Sequence, residues 1–189
     1  FRVAVKAGKV GAIRRLPNVA AILPVEKHQP DNLRTDPYTG ASQAWTDTGF
    51  TGKGATIAII DSGINYYHVD FGGAGYDAWQ ADDGLTKGND FPTAKVVGGY
   101  DLAGDDYNAD DENPIRQPDG DPLDCKDKSS EVDQHGTHVA GTAAGFGVTG
   151  DGKTYQGPYT TAAIKAAHLR IGPGTAPQAK LLAYRVFGC

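Results

Sequence analysis

The stretch HGTHVAGTAAG at residues 135–145 constrains the fold more than any other part of the chain. Beyond two histidines and one valine it holds only Gly, Ala and Thr. Read as a helix it is intrinsically weak, because each Gly costs roughly 1 kcal/mol relative to Ala. Such a helix persists only where tertiary packing holds it, and Ala140, Gly141, Ala143, Ala144 and Gly145 let neighbours press close. The chain must therefore build a core around it. Three segments can supply strands for that core: ATIAII at 55–60, KVVGGYD at 95–101 and AKLLAYRVF at 179–187. The first is an apolar run rich in β-branched residues and reads as a strand buried on both faces, as in a parallel sheet. Strands separated by helical segments point to an α/β fold with a mostly parallel sheet flanked by helices.

Residues 1–27 read as a separate small α+β unit. FRVAV alternates like a strand, KVGAIRRLP suits a short helix closed by Pro17, and NVAAILPVEK reads as an edge strand because of Pro24. HQPDNLRTDPYTG then has linker composition, which puts a boundary near residues 28–35 and divides the chain into 1–30 and 31–189. ASQAWTDTG predicts a short helix and FTGKG a turn. FGVTGDGKTYQGPYTT reads as a loop or hairpin, and AAIKAAHLRIGPGTAPQ as mixed structure. Residues 101–133 have no periodicity and carry 12 acids against three bases, which predicts a long surface loop. That density of Asp and Asn also suits Ca²⁺, although the EF-hand loop pattern is absent.

Charge and hydropathy exclude some functions. The net charge is −5, yet the first 30 residues hold six bases and one acid. Those bases are few and have no accompanying aromatic–basic motif, which argues against nucleic-acid binding. No apolar run approaches the roughly 20 residues of a membrane helix. There is no Met, and the chain stops at Cys189 straight after an apolar segment. It therefore reads as a fragment cut at both ends, so a missing signal peptide carries no information. Cys125 and Cys189 can form one bridge or remain two buried thiols, and composition leaves both open.

Asp61 ends the first strand segment, with Gly63 to turn the chain. In open parallel sheets the carboxyl ends of strands form the ligand crevice. Asp61 can cap that turn or serve as a partly desolvated functional acid. IIDSG is also the local pattern of pepsin-like aspartic proteases, a reading that needs a second such Asp beside the first. His135 would sit at a helix N-terminus, where orphan N–H groups disfavour a resting imidazolium. A neutral imidazole is what a general base must be, and Asp61 is the obvious carboxylate to steady the cation once it forms. His135 and His138 stand at i, i+3, whereas zinc helices use H-E-x-x-H at i, i+4 with an adjacent Glu. The metal reading is accordingly the weaker one, and His138 reads as a packed helix residue bonded to backbone.

GATIAIIDSGINYYHVDFGG, HGTHVAGTAAG and GTAPQAKLLAYRVFG resemble, in that order, successive blocks of the subtilisin-like serine proteases (subtilases), over roughly residues 40–189. The order Asp, then His, is the subtilisin order. The resemblance implies Asp61 as orienting acid, His135 as general base and a secreted endopeptidase acting on peptide or protein substrates, with no cofactor needed for the chemistry. RRLPNVAAILPVEKHQP is similar to the closing helix and strand of the family's inhibitory propeptide. That would make residues 1–30 the end of an intramolecular inhibitor, cleaved near 28–35. PDGDPLDC and the terminal FGC fit the larger secreted members, which often carry a protease-associated domain, and this favours a Cys125–Cys189 disulfide. Asp70 aligns with a calcium ligand of compact members, so a structural calcium is implied there. Gln134 stands where the family usually has Gly, and Val69 where it usually has Pro. The nucleophile is absent: the family's Ser lies in a G-T-S-M-A block, and this chain has only Ser42, Ser62, Ser129 and Ser130. Its expected place is beyond Cys189. The alternative is a non-catalytic, calcium-stabilised binding module on the same fold.

Overall fold

A computed structural model describes residues 3–24, 32–82, 90–126 and 134–189. The chain divides into two compact units, Phe1–Pro30 and Asp31–Cys189.

In the first unit a 3-10 turn, Ala7–Lys9, runs into α1, Val10–Arg14. The helix expected in KVGAIRRLP is present. The two strands are not: residues 3–6 and 18–24 form none, and residues 25–27 of the second lie outside the described residues. Alternation alone cannot make a strand without a partner ladder. Among its described residues the unit also buries no apolar side chain, leaving Val3 67% and Leu23 81% exposed.

The second unit begins with α2, Asn32–Thr39, and α3, Ala41–Thr48. The linker expected around 28–35 therefore gives way to helix from Asn32. Pro37 lies inside α2 and removes one backbone donor. The helix has tertiary support, since Leu33 packs against a cluster of Ala41, Trp45, Tyr155, Tyr159 and Leu169. Gly40 and Gly49 bracket α3 in the left-handed region.

Three parallel strands follow: β1, Thr56–Asp61; β2, Val96–Asp101; and β3, Lys180–Arg185. Their order is β1-β3-β2, with Asp61 opposite Arg185 and Arg185 opposite Asp101. Between β1 and β2 lies α4, Tyr76–Ala81; between β2 and β3 lie α5, His135–Ala144, and α6, Thr161–Ala166. The result is an α/β fold with a parallel sheet and helices, as the three apolar segments predict. One detail differs. Ile57 and Ile59 of β1 join the core with Leu181, Ala183, Ala140 and Ala144, but Ile60 is 67% exposed. Only the face that meets α5 is covered among the described residues.

α5 is held as its composition requires. A Cβ on Gly174 would lie 2.4 Å from the Gly141 carbonyl oxygen, so the segment leading to β3 can approach only as glycine. At the helix end the N–H groups of Gly174, Thr175 and Ala176 donate to the carbonyls of Gly145, Thr142 and Ala143. These bonds satisfy acceptors that a helix C-terminus leaves orphaned.

Three buried carboxyls each have an oxygen without a hydrogen-bond partner among the described residues, Asp36 Oδ2 in α2, Asp101 Oδ2 and Asp121 Oδ2; of these Asp101 has the Arg185 guanidinium 3.2 Å away. Burial pushes Asp36 from the usual 3.8 up to about 7, and Asp121 from 3.8 up to about 6. The folded form thus keeps protons that the unfolded chain has released. Their contribution is full below pH 3.8 and is lost as pH rises through 6 and 7. The urea midpoint of the chain should therefore be lower at pH 8 than at pH 5, and Asp36→Asn should flatten part of that fall. A variant with the wild-type pH dependence would contradict the assignment.

Candidate active site

β1 delivers Asp61 to the carboxyl edge of the sheet, and Gly63 turns the chain at φ 109°. A Cβ there would meet the Pro122 carbonyl oxygen at 2.7 Å and the Asp124 nitrogen at 2.9 Å. From the other side α5 starts at His135. A Cβ on Gly136 would lie 2.3 Å from the Gly63 carbonyl oxygen and 3.0 Å from the Asp61 Cβ. The glycines of D-S-G and H-G-T thus allow the strand end and helix start to touch. Side chains 74 residues apart in sequence meet as a result.

His135 Nδ1 lies 2.8 Å from Asp61 Oδ1 and 3.0 Å from Oδ2. An ionised carboxylate only accepts, so Nδ1 carries the hydrogen, and in the neutral imidazole Nε2 then keeps its lone pair. Asp61 Oδ1 also accepts from the Ser62 N–H at 2.7 Å, which fixes the carboxylate plane. The Asp61 side chain is 15% exposed and that of His135 62%. The pair is therefore a shielded carboxylate hydrogen-bonded to an accessible imidazole.

Other candidates separate from this pair. His138 is exposed on α5 rather than packed, because the helix buries Gly136, Thr137, Ala140, Gly141 and Ala144, and position 138 falls off that face. Besides Asp61-Ser62-Gly63 the chain has an Asp-Thr-Gly at 47–49, which closes α3; Asp47 accepts from Gln43 Nε2 at 2.7 Å on an exposed face, while Asp61 is paired with His135. The two acids form no aspartic dyad. Asp70 is buried, its Oδ1 accepts from the Gly147 N–H at 2.6 Å, and Oδ2 fills the space a Cβ on Gly145 would need. Burial pushes its pKa up to about 6 against the opposing pull of Gly147 N–H and Lys95. Asp70 ties the loop after β1 to the end of α5. No group of three or more His, Cys, Asp or Glu able to hold a metal occurs among the described residues, at Asp70 or elsewhere.

The acidic segment is not simply a surface loop. Asp101, Asp121 and Asp124 are buried, and the guanidinium of buried Arg185 sits 3.2 Å from Asp101 Oδ2 and 2.6 Å from Asp105 Oδ1. Residues 127–133 of the segment lie outside the described residues. The sulfurs of Cys125 and Cys189 are bonded, with Cα atoms 5.5 Å apart. The bond joins the segment beside α5 to the chain just after β3.

The fold and the acid–base pair can be set beside known proteins. The subtilase family matches over residues 52–189. The chain is 31% identical over its whole length to the minor extracellular protease Vpr of Bacillus subtilis (strain 168), of which it covers 19%. It is 30% identical over 79% of its length to the thermophilic serine proteinase of Bacillus sp. (strain AK1), of which it covers 25%. To subtilisin-like protease SBT1.4 of Arabidopsis thaliana it is 26% identical over 86% of its length, covering 21% of that protein. The chain spans about a fifth to a quarter of these relatives. The match takes in the strand that ends in Asp61, the helix that starts at His135 and the sheet that brings them together: the chain belongs to the subtilase family.

Proposed function

We propose that Asp61 and His135 are the orienting acid and general base of a secreted serine endopeptidase, with the nucleophilic Ser supplied by chain beyond Cys189. The observation that carries this reading is the Asp61–His135 hydrogen bond at Nδ1, which in the neutral imidazole leaves Nε2 free as an acceptor on a side chain that is 62% exposed. A serine hydroxyl placed against Nε2 passes its proton to the imidazole as the oxygen attacks a peptide carbonyl. His135 then returns the proton to the leaving amine, while Asp61 stays ionised and stabilises the imidazolium. Ser62 is unsuited to the nucleophile's role: it is fully buried, and its oxygen accepts from the Gly136 N–H at 2.8 Å.

Peptides or proteins are the substrates in this reading, and no cofactor enters the chemistry. Secretion is supported by the relative Vpr, which is named as an extracellular protease. No helix among the described residues is long and apolar enough to cross a membrane. Residues 1–30 act as the end of an intramolecular inhibitor, a role supported by their forming a separate unit. The test uses the full-length protein and an unfolded protein substrate. Hydrolysis should be abolished by a serine-directed fluorophosphonate and persist with a zinc chelator or an aspartic-protease inhibitor. A folded full-length protein with no hydrolysis would favour the non-catalytic binding module.

A further inference from the structure

α5 lacks a cap from its own chain neighbour. Its N-cap residue, Gln134, lies in the left-handed region at φ 55° and makes no side-chain cap bond. The first-turn N–H groups are satisfied from elsewhere. Gly136 N–H donates to Ser62 Oγ at 2.8 Å, and Thr137 N–H donates to Asp124 Oδ2 at 2.9 Å.

Asp124 collects further donors. Thr137 Oγ1 donates to Oδ2 at 2.5 Å, and the Cys125 N–H donates to Oδ1 at 2.9 Å. Burial pushes the Asp124 pKa up to about 6, against the pull of Thr137, the nearby Ser62 hydroxyl and the Cys125 N–H. Thr137 Oγ1 in turn accepts from the Asn65 N–H at 2.8 Å, which ties in the turn after β1. Every group around Asp124 is a donor, so the site is built for an acceptor-only side chain. Asp124 is 1% exposed, and water cannot substitute readily for it.

We propose that Asp124, acting through Ser62 and Thr137, is the positioning residue that caps α5 from outside and sets His135 against Asp61. The proposal rests on the peptidase reading for its activity test, but not for its structural test. Ser62 adjoins Asp61 and Thr137 lies two residues after His135, so the network joins both members of the pair by the shortest covalent route. A negative charge at this helix start is also favoured by the exposed N–H dipoles.

Asp124→Asn keeps the shape and puts an NH₂ among donors, leaving at least one N–H unpaired. In the full-length enzyme it should lower kcat by about 10²-fold with KM nearly unchanged, the scale of a misplaced catalytic group. Thr137→Val should lower kcat in the same way, and Thr137→Ser, which keeps the hydroxyl, should restore it. These Thr137 variants decide the matter if Asp124→Asn does not fold. The structural readout is the low-field Nδ1 proton of His135 in NMR spectra, expected in the wild type and lost in Asp124→Asn and Thr137→Val. Folded variants that keep both kcat and that resonance would overturn the proposal, as would a wild type without the resonance. If the full-length wild type is inactive yet shows the resonance, and the variants lose it, the positioning role stands and the peptidase reading falls.

Discussion

His135→Ala in the full-length protein should lower kcat by about 10⁴-fold or more while changing KM little. The imidazole is the only accessible base on the Asp61 carboxylate among the described residues, and it meets that acid at 2.8 Å. Removing it leaves the attacking hydroxyl protonated and the leaving amine without a proton. The fold should tolerate the change, because the side chain is 62% exposed and makes no core contact. Steady-state kinetics beside a thermal melt separate the two effects. A large drop in kcat with an unchanged melt is expected; a kcat within tenfold of wild type would remove His135 from the mechanism.

Asp61→Asn should cost about 10⁴-fold in kcat for a different reason. The carboxylate now accepts from His135 Nδ1–H and from the Ser62 N–H. A carboxamide with its oxygen held by Ser62 N–H at the Oδ1 place sets an NH₂ at the Oδ2 place, 3.0 Å from Nδ1, where the carboxylate had only acceptors. The ring answers by accepting at Nδ1, which moves its hydrogen to Nε2 and blocks the base. Geometry is preserved and the tautomer is wrong. Nitrogen chemical shifts of His135 should report that exchange directly. An Asp61→Asn enzyme with the wild-type tautomer and near-normal kcat would contradict the role given to Asp61.

The parts of this fold legible in the sequence were those fixed by local chemistry. β-branched runs marked the strands, and the small residues of 135–145 marked a helix pressed into a core. The acid at a strand end and the histidine at a helix start followed from the same segments. Partner-dependent features were not legible. FRVAV alternates, yet its described residues 3–5 form no strand, and Asn32–Thr39 is helical despite Pro37 because Leu33 finds a packing site. His138 looked like a core residue until the buried face of α5 fixed its direction. Asp124 was hidden for the same reason. In sequence it is one acid among 12 in a loop, and only the approach of α5 turns it into a buried cap. The neighbouring Cys125 was the one local hint that this stretch is fixed rather than solvated.

The central claim is that His135, oriented by Asp61, activates a serine outside residues 1–189. The most direct measurement is labelling of the full-length protein with a fluorophosphonate, followed by mapping of the modified peptide, in wild type and in His135→Ala. A single labelled serine beyond Cys189 is expected in the wild type, with labelling abolished in His135→Ala. Label on Ser62, or equal labelling in both proteins, would contradict it.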